Sequence, residues 1–185
     1  MSKVQTDNSK LIEKVRLRLD SIKEISKQHI TVLECFSGNG VIWNEVRMFS
    51  NADIRILKMD VKNDRKGVYL KGNNLKFLPN MDLSEYDIID LDAYGSPFKQ
   101  LEYVFKSNFN GIVHCTYIQT FMGKLDYKML NSIGYSNKMI KKIPTLFSTN
   151  ALEKMVDYLG TKGAVEQITG YFLGNKNYFY FKINH

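Results

Sequence analysis

The chain is poor in cysteine, lacks long apolar runs and has no internal repeat. Its two cysteines, Cys35 and Cys115, form no CxxC pair or other metal-ligand spacing, which argues against a cysteine metal site. Each falls in or just after an apolar run, so both are expected to be buried, reduced thiols of a cytoplasmic protein. No apolar run approaches the ~18 residues needed to span a bilayer. The polar stretch Met1–Lys10 has no apolar h-region, and no signal peptide is expected. No low-complexity linker divides the chain. What remains is a sequence of 185 residues, 44% of them hydrophobic, which fits one domain with a sizeable core. Its formal net charge of +7 favours a polyanionic partner such as nucleic acid.

Apolar periodicity sets the order of elements. Residues 1–9 read as a tail. From Lys10 to about Lys27, Leu11, Ile12, Val15, Leu17, Leu19, Ile22 and Ile25 recur roughly at helical spacing, predicting an amphipathic helix with a basic outer face. The β-branched run in His29–Phe36 predicts a buried strand that runs into the turn Ser37-Gly38-Asn39-Gly40. A helix follows over Val41–Phe49, then a strand over Ile54–Met59 closed by Asp60. Further strands are expected at Val68–Leu70, Tyr86–Leu91 and Gly111–Thr116, with a helix over Phe98–Phe105. Strands alternating with helices predict a doubly wound, mostly parallel α/β sheet with right-handed crossovers. The end of the chain differs. A helix over Leu152–Leu159 precedes strands Ala164–Leu173 and Tyr178–Ile183, and the linking Gly174-Asn175-Lys176-Asn177 signals an antiparallel hairpin.

The glycine turn after the first strand carries the strongest ligand signal. In open α/β sheets, ligands sit at the carboxyl ends of the strands near the switch point. Glycine there lets the backbone approach a ligand closely, and the next helix offers free N–H groups. The turn lacks the third glycine of the dinucleotide fingerprint, since position 43 is Trp. The pattern Glu34-x-Phe36-x-Gly38-x-Gly40 instead resembles motif I of class I S-adenosylmethionine-dependent methyltransferases. That resemblance implies a Rossmann-like seven-stranded methyltransferase fold, with the cofactor held by Glu34, Phe36, Ser37, Gly38, Asn39 and Gly40. Glu34 would meet the methionine ammonium. Asp60, with Asp64 as a competitor, would take the ribose hydroxyls. Asn73 would face the adenine amino group, and Leu75 would pack on its ring. Residues 28–185 would form this domain, with residues 1–27 as tail and amphipathic helix.

A second motif, Asp90-Leu91-Asp92-Ala93-Tyr94-Gly95-Ser96-Pro97, lies at the end of a buried strand, where loop residues are usually functional. It resembles the Asp-Leu-Asp-Pro-Phe/Tyr-Gly-Ser-Pro loop of the tRNA guanine-N2 dimethyltransferase family, with Ala93 in place of proline. The resemblance implies methyl transfer to an exocyclic amine of a nucleobase, in RNA (tRNA included) or DNA, with RNA favoured. Asp92, Tyr94 and Asp90 would be the catalytic residues. Ser96 caps and Pro97 opens the next helix, and both would line the substrate side. No metal is called for, because the leaving group of a sulfonium is neutral and good.

Between Tyr117 and Asn150, Lys124, Lys128, Lys138, Lys141 and Lys142 alternate irregularly with Tyr117, Phe121, Tyr127, Tyr135 and Phe147, and Asp126 is the one acid. Lysines for phosphates and rings for bases suit a nucleic-acid strand, and Lys124, Lys128, Lys141 and Lys142 are the candidate contacts. A helical lid with core-facing aromatics fits the same pattern. His114 and Tyr178-Phe179-Tyr180-Phe181 read as core. Two other functions stay open: a methyltransferase of proteins or small molecules, and a non-catalytic cofactor- or nucleic-acid-binding module on the same fold.

Overall fold

The computed structural model describes residues 10–62, 67–118, 127–143, 151–163, 165–174 and 176–184. Seven strands form one sheet: β1 (His29–Glu34), β2 (Asp53–Asp60), β3 (Leu70–Lys71), β4 (Ile88–Leu91), β5 (Gly111–Ile118), β6 (Thr169–Leu173) and β7 (Lys176–Ile183). Their order is β3-β2-β1-β4-β5-β7-β6. The first five are parallel, and β7 runs antiparallel to both its neighbours, β5 and β6. The strand order reverses between β1 and β4, so the carboxyl ends of these two strands bound the crevice in which this class of sheet binds ligands.

Helices cover both faces. On one side lie α1 (Leu11–Lys23) and α2 (Val41–Phe49). There Val15, Ile22, Trp43 and Val46 pack on Ile30, Val32, Ile88, Ile112 and Tyr178. On the other lie α4 (Phe98–Val104), α5 (Tyr127–Ser132), α6 (Asn137–Lys142) and α7 (Ala151–Gly160), and α3 (Asn74–Phe77) follows β3. Here Phe98, Leu101, Met129, Ile140 and Tyr158 pack on Leu33, Ile89, Leu91, Val113 and Tyr117. The strands feed the two layers by alternation. In β4, which is buried throughout, Ile88 serves one layer and Ile89 and Leu91 the other.

The element boundaries differ from the sequence expectations at several ends. α1 stops at Lys23 because its last turn tightens: Glu24 and Ile25 donate to the carbonyls of Ser21 and Ile22, three residues back. β3 is only two residues long and pairs with Met59 and Asp60. The hairpin turn is shorter than expected, since Leu173 already pairs with Lys176. β6 starts at Thr169 rather than Ala164, and Val165 makes only a lone bridge to Ile183. Among the described residues, no helix is long and apolar enough to cross a membrane.

α1 carries charge on its inner face as well as on the basic outer face expected. Lys14, Arg18 and Ser21 point inward and are buried together with Val15, Leu17 and Ile22. Arg18 and Asp90 form a two-pronged ion pair, Nε to Oδ2 at 2.8 Å and Nη2 to Oδ1 at 2.8 Å, with side chains only 2% and 1% exposed. Trp43 Nε1 of α2 donates to the same Oδ2 at 2.6 Å. One turn further along α1, Ser21 Oγ lies 2.8 Å from His114 Nε2 of β5. Burial pushes the His114 pKa well below its usual value, and the nearby Arg18 adds to the shift, so this imidazole is neutral. Breaking a buried ion pair from one side strands a charge and costs about 3–5 kcal/mol. Arg18→Met is therefore expected to destabilise the chain by an amount in that range. Arg18→Met with Asp90→Asn should cost less than Arg18→Met alone, because no bare carboxylate remains. Urea denaturation of the three proteins measures both.

Candidate functional site

The carboxyl end of β1 bends into a turn held by several backbone bonds. Ser37 N–H donates to the Met59 carbonyl at 2.9 Å, and Gly40 N–H to the Ser37 carbonyl at 2.7 Å. Gly38 and Gly40 have φ of 52° and 69°, the left-handed region that suits glycine. Gly40 is the residue from which α2 starts. Asp60, at the end of β2, accepts from Gly38 N–H at 2.7 Å and from Lys62 N–H at 2.8 Å. Its first role is thus to hold the glycine turn in shape, which was not foreseen from sequence. Competing Asp64 lies outside the described residues.

A cleft of about 290 Å³ opens beside this turn, lined by Cys35, Phe36, Asp60, Val61, Gly72, Asn73, Asn74 and Gln100. That is near the lower end of the ~300–1,000 Å³ typical of small-ligand sites. Asn73 lies at its edge and its side chain accepts from Leu75 N–H at 3.0 Å, capping α3. Leu75, expected against an adenine ring, does not line the cleft; the helix that starts after Asn73 presents Asn74 there instead. Asn74 is buried, donates to the Cys35 carbonyl at 2.8 Å and accepts from Gln100 Nε2 at 2.9 Å. Asn74 and Gln100 were missed in the sequence. The partners that fix them are 39 and 26 residues away in the chain, and no local pattern marks them.

Three carboxylates converge where β1 and β4 end. Glu34 is paired in register with Asp90, and Asp92 follows two residues on. Glu34 is buried, and its Oε2 has no hydrogen-bond partner among the described residues; the same holds for the buried Ser37 Oγ. Burial pushes the Glu34 pKa up to about 8, and Asp90 and Asp92 push the same way while Lys58 and Arg18 oppose them. Lys58 Nζ lies close over the turn, 2.7 Å from where a Cβ on Gly40 would be. A buried carboxylate short of a counterion, next to an unsatisfied hydroxyl and a glycine turn, fits a ligand end that carries an ammonium and a carboxylate.

Asp92 itself is engaged. Lys14 Nζ of α1 donates to its Oδ1 at 2.8 Å and Oδ2 at 2.9 Å, and Thr116 Oγ1 of β5 donates to Oδ1 as well. Asp90 is sealed beneath Arg18 and Trp43, so its expected catalytic role is corrected to a structural one: nothing of it reaches solvent-side chemistry. Ala93 is buried and its N–H donates to the Leu91 carbonyl at 2.8 Å, closing a tight turn without proline. Tyr94 is 67% exposed. α4 starts at Phe98 as expected, but Pro97 rather than Ser96 is the boundary residue, and Ser96 Oγ accepts from Phe98 N–H at 3.3 Å.

The basic-aromatic stretch separates into two parts. Tyr117 is buried in the core layer that includes Val113 and Cys115, so it is corrected from a base-stacking candidate to a core residue; in β5 it shares a face with both. Tyr135 packs against the same cluster. Lys128, Lys138, Lys141 and Lys142 are exposed, and Tyr127 is partly so. Phe121, Lys124 and Phe147 lie outside the described residues. His114, Cys35, Cys115 and residues Tyr178–Phe181 are buried, and both thiols are free. Among the described residues, no group of three His, Cys, Asp or Glu side chains could hold a metal ion.

No family model matches the chain, and no curated protein matches its sequence. Solved structures do match its fold. The complex of Trm1 from Pyrococcus horikoshii with S-adenosyl-L-methionine aligns at a TM-score of 0.63 and 14% identity, covering 99% of this chain and 58% of that one. A candidate class I S-adenosylmethionine-dependent methyltransferase of Listeria monocytogenes gives 0.59 and 13%, over 100% of this chain and 63% of that one. A candidate rRNA methylase of Clostridium thermocellum gives 0.53 and 14%, over 93% and 97%. The chain therefore has the Rossmann-like fold of these methyltransferases, and it spans under two thirds of the first two.

The pH dependence of stability follows from Glu34. Facing Asp90, Asp92, Lys58 and Arg18, it keeps its proton up to about pH 8 in the folded chain, against an ordinary value of 4.5. Between these limits the folded state holds the extra proton, so stability falls as pH rises through this window and levels off above it. Glu34→Gln is expected to abolish that fall and to raise Tm at pH 8 by several degrees, on the order of ~2–4 °C per kcal/mol. Thermal unfolding of both proteins from pH 5 to 9 checks it.

Proposed function

We propose that the chain is an S-adenosylmethionine-dependent methyltransferase that methylates an exocyclic amine of a nucleobase in RNA. The observation that carries this reading is the placement of Asp92. Its carboxylate lies at the end of β4, beside the β1 end that carries Glu34 and the glycine turn. The cofactor cleft and the acceptor loop thus share the switch point of the sheet. The likeness to a Trm1 complex and to a candidate rRNA methylase supports an RNA acceptor.

When bound, the cofactor supplies an electrophilic methyl group on a sulfonium whose departure leaves a neutral thioether. The protein's own residues bind and orient. Glu34 takes the ammonium of the methionine moiety, and the N–H groups at the start of α2, with Ser37, take its carboxylate. Gly38, Asn39 and Gly40 let the backbone close on it. Asp60 accepts from the ribose hydroxyls with the lone pairs its turn bonds leave, Asn73 faces the adenine, and Phe36 lines its cleft. Asp92 accepts an N–H of the base amine. This counters the delocalisation that makes such an amine a poor nucleophile, and positioning supplies most of the rate. Exposed Tyr94 stacks on the extruded base. Ser96 and Pro97 shape the loop, and Lys128, Lys141 and Lys142, with Lys124, meet phosphates.

A second reading, a non-catalytic binding module, is favoured by Ala93 in place of proline and by the ion pair on Asp92. Radiolabelled methyl transfer to RNA, DNA, protein and small-molecule pools separates the two. RNA is expected to take the label. Asp92→Asn should lower transfer by at least about 100-fold, in the range lost with one transition-state hydrogen bond, and leave the cofactor Kd within error by calorimetry. Cofactor binding with no labelled pool would establish the module instead. Glu34→Gln should weaken cofactor binding in the same calorimeter.

A further inference from the structure

We infer that Lys14 is a positioning residue of the active site, holding Asp92 so that a single acceptor direction is left for the substrate amine. The inference rests on the proposed methyl transfer. An ionised carboxylate accepts along about four lone-pair directions. Three are filled within the protein: Lys14 Nζ bonds both oxygens, at 2.8 and 2.9 Å, and Thr116 Oγ1 bonds Oδ1. Among the described residues the direction left is on Oδ2, and the Asp92 side chain keeps 14% exposure while that of Lys14 keeps 6%.

Lys14 is held in turn. Its ammonium lies 5.1 Å from the centroid of the Tyr178 ring in β7, within cation–π range. One helical turn on, Arg18 Nη1 donates to the Lys14 carbonyl at 3.0 Å while its other nitrogens grip Asp90. The backbone of Lys14 is therefore pinned by the same ion pair that docks α1 on the sheet. An isolated surface lysine would gain little from such a pair; a buried one bound at two points fixes both the position and the rotation of the carboxylate. A carboxylate free to rotate offers its amine acceptor a spread of geometries, and small misplacements of reacting groups cost large factors in rate. A neighbouring strand and a helix thus converge on one side chain and, among the described residues, leave one of its edges open.

Lys14→Met, Lys14→Arg and Thr116→Val are compared with wild type in single-turnover methyl transfer, together with cofactor binding by calorimetry. Lys14→Met is expected to lower kcat about 10- to 100-fold with the cofactor Kd and the acceptor KM little changed. Lys14→Arg should recover most of that loss, because its fork still grips both oxygens. Thr116→Val removes only a hydroxyl and should give the same kcat-only loss by a smaller factor, whether or not Lys14→Met folds well. In an Asp92→Asn background, Lys14→Met should cost nothing further. Wild-type kcat in Lys14→Met and Thr116→Val, or a loss carried equally by the cofactor Kd, overturns the positioning role and leaves the methyltransferase reading standing. A wild-type protein that binds cofactor and methylates no acceptor overturns that reading itself.

Discussion

The buried ion pair between Arg18 and Asp90 ties the first helix of the chain to the central strand of the sheet at the edge of the ligand crevice. Both side chains are almost wholly removed from water, so each is tolerable only in the presence of the other. The pair fixes more than a contact. Lys14 precedes Arg18 by one turn and Ser21 follows it by about one, so once Arg18 is seated the register of α1 brings Lys14 to Asp92 and Ser21 to His114. A purely apolar underside would hold the helix as firmly but would tolerate sliding and rotation. The polar ladder permits one register. Its geometry is what turns a helix from upstream of the cofactor motifs into a wall of the site.

The same crowding explains why the ligand end of the sheet is electrostatically unsettled. Glu34, Asp90 and Asp92 face Lys14, Arg18 and Lys58, and the formal charges balance. Yet Arg18 is committed to Asp90 and Lys14 to Asp92, and no ion pair joins Lys58 to Glu34. Glu34 is therefore left as a buried acid that resists ionising. A chain selected only for stability would have an amide or an apolar residue there. Retaining the acid makes sense where a cationic ligand arrives to complete the pairing, and perturbed buried acids cluster at functional sites for this reason.

Much of this was legible in the residues. The β-branched run, the Gly38 and Gly40 turn and the helix over Val41–Phe49 announce themselves through local chemistry, and a mostly parallel sheet with an antiparallel end follows from alternation of elements and the final hairpin. The loop from Asp90 to Pro97 stands out because two acids, a glycine and a proline end a buried strand. What stayed hidden is what depends on long sequence separations. Asn74 and Gln100 under the cleft are fixed by distant groups. Lys14 and Arg18 did carry a signal: both fall on the helical stripe with Leu11, Val15 and Ile22, where a solvated charge has no place. Reading the helix as basic outside missed that two of its charges were on the wrong side for water. Tyr117 was open to the same correction, since strand alternation groups it with Val113 and Cys115.

The absence of proline at position 93 bears on how the loop from Asp90 to Pro97 keeps its shape. Proline would fix the chain there by restricting one dihedral and the residue before it. Alanine leaves the backbone freer but restores an N–H, and that N–H is spent on the Leu91 carbonyl to close the turn that contains Asp92. The side chain of Ala93 is buried, so packing replaces the lost ring. Rigidity of the loop therefore comes in part from the turn bond behind Asp92 and otherwise from outside it, from Thr116 on one flank and from Lys14 on the other. Where proline would build stiffness into the loop itself, this chain draws it from α1 and β5. The geometry of Asp92 is then conditional on α1 being docked, which ties the Arg18–Asp90 pair to the candidate site as well as to the fold.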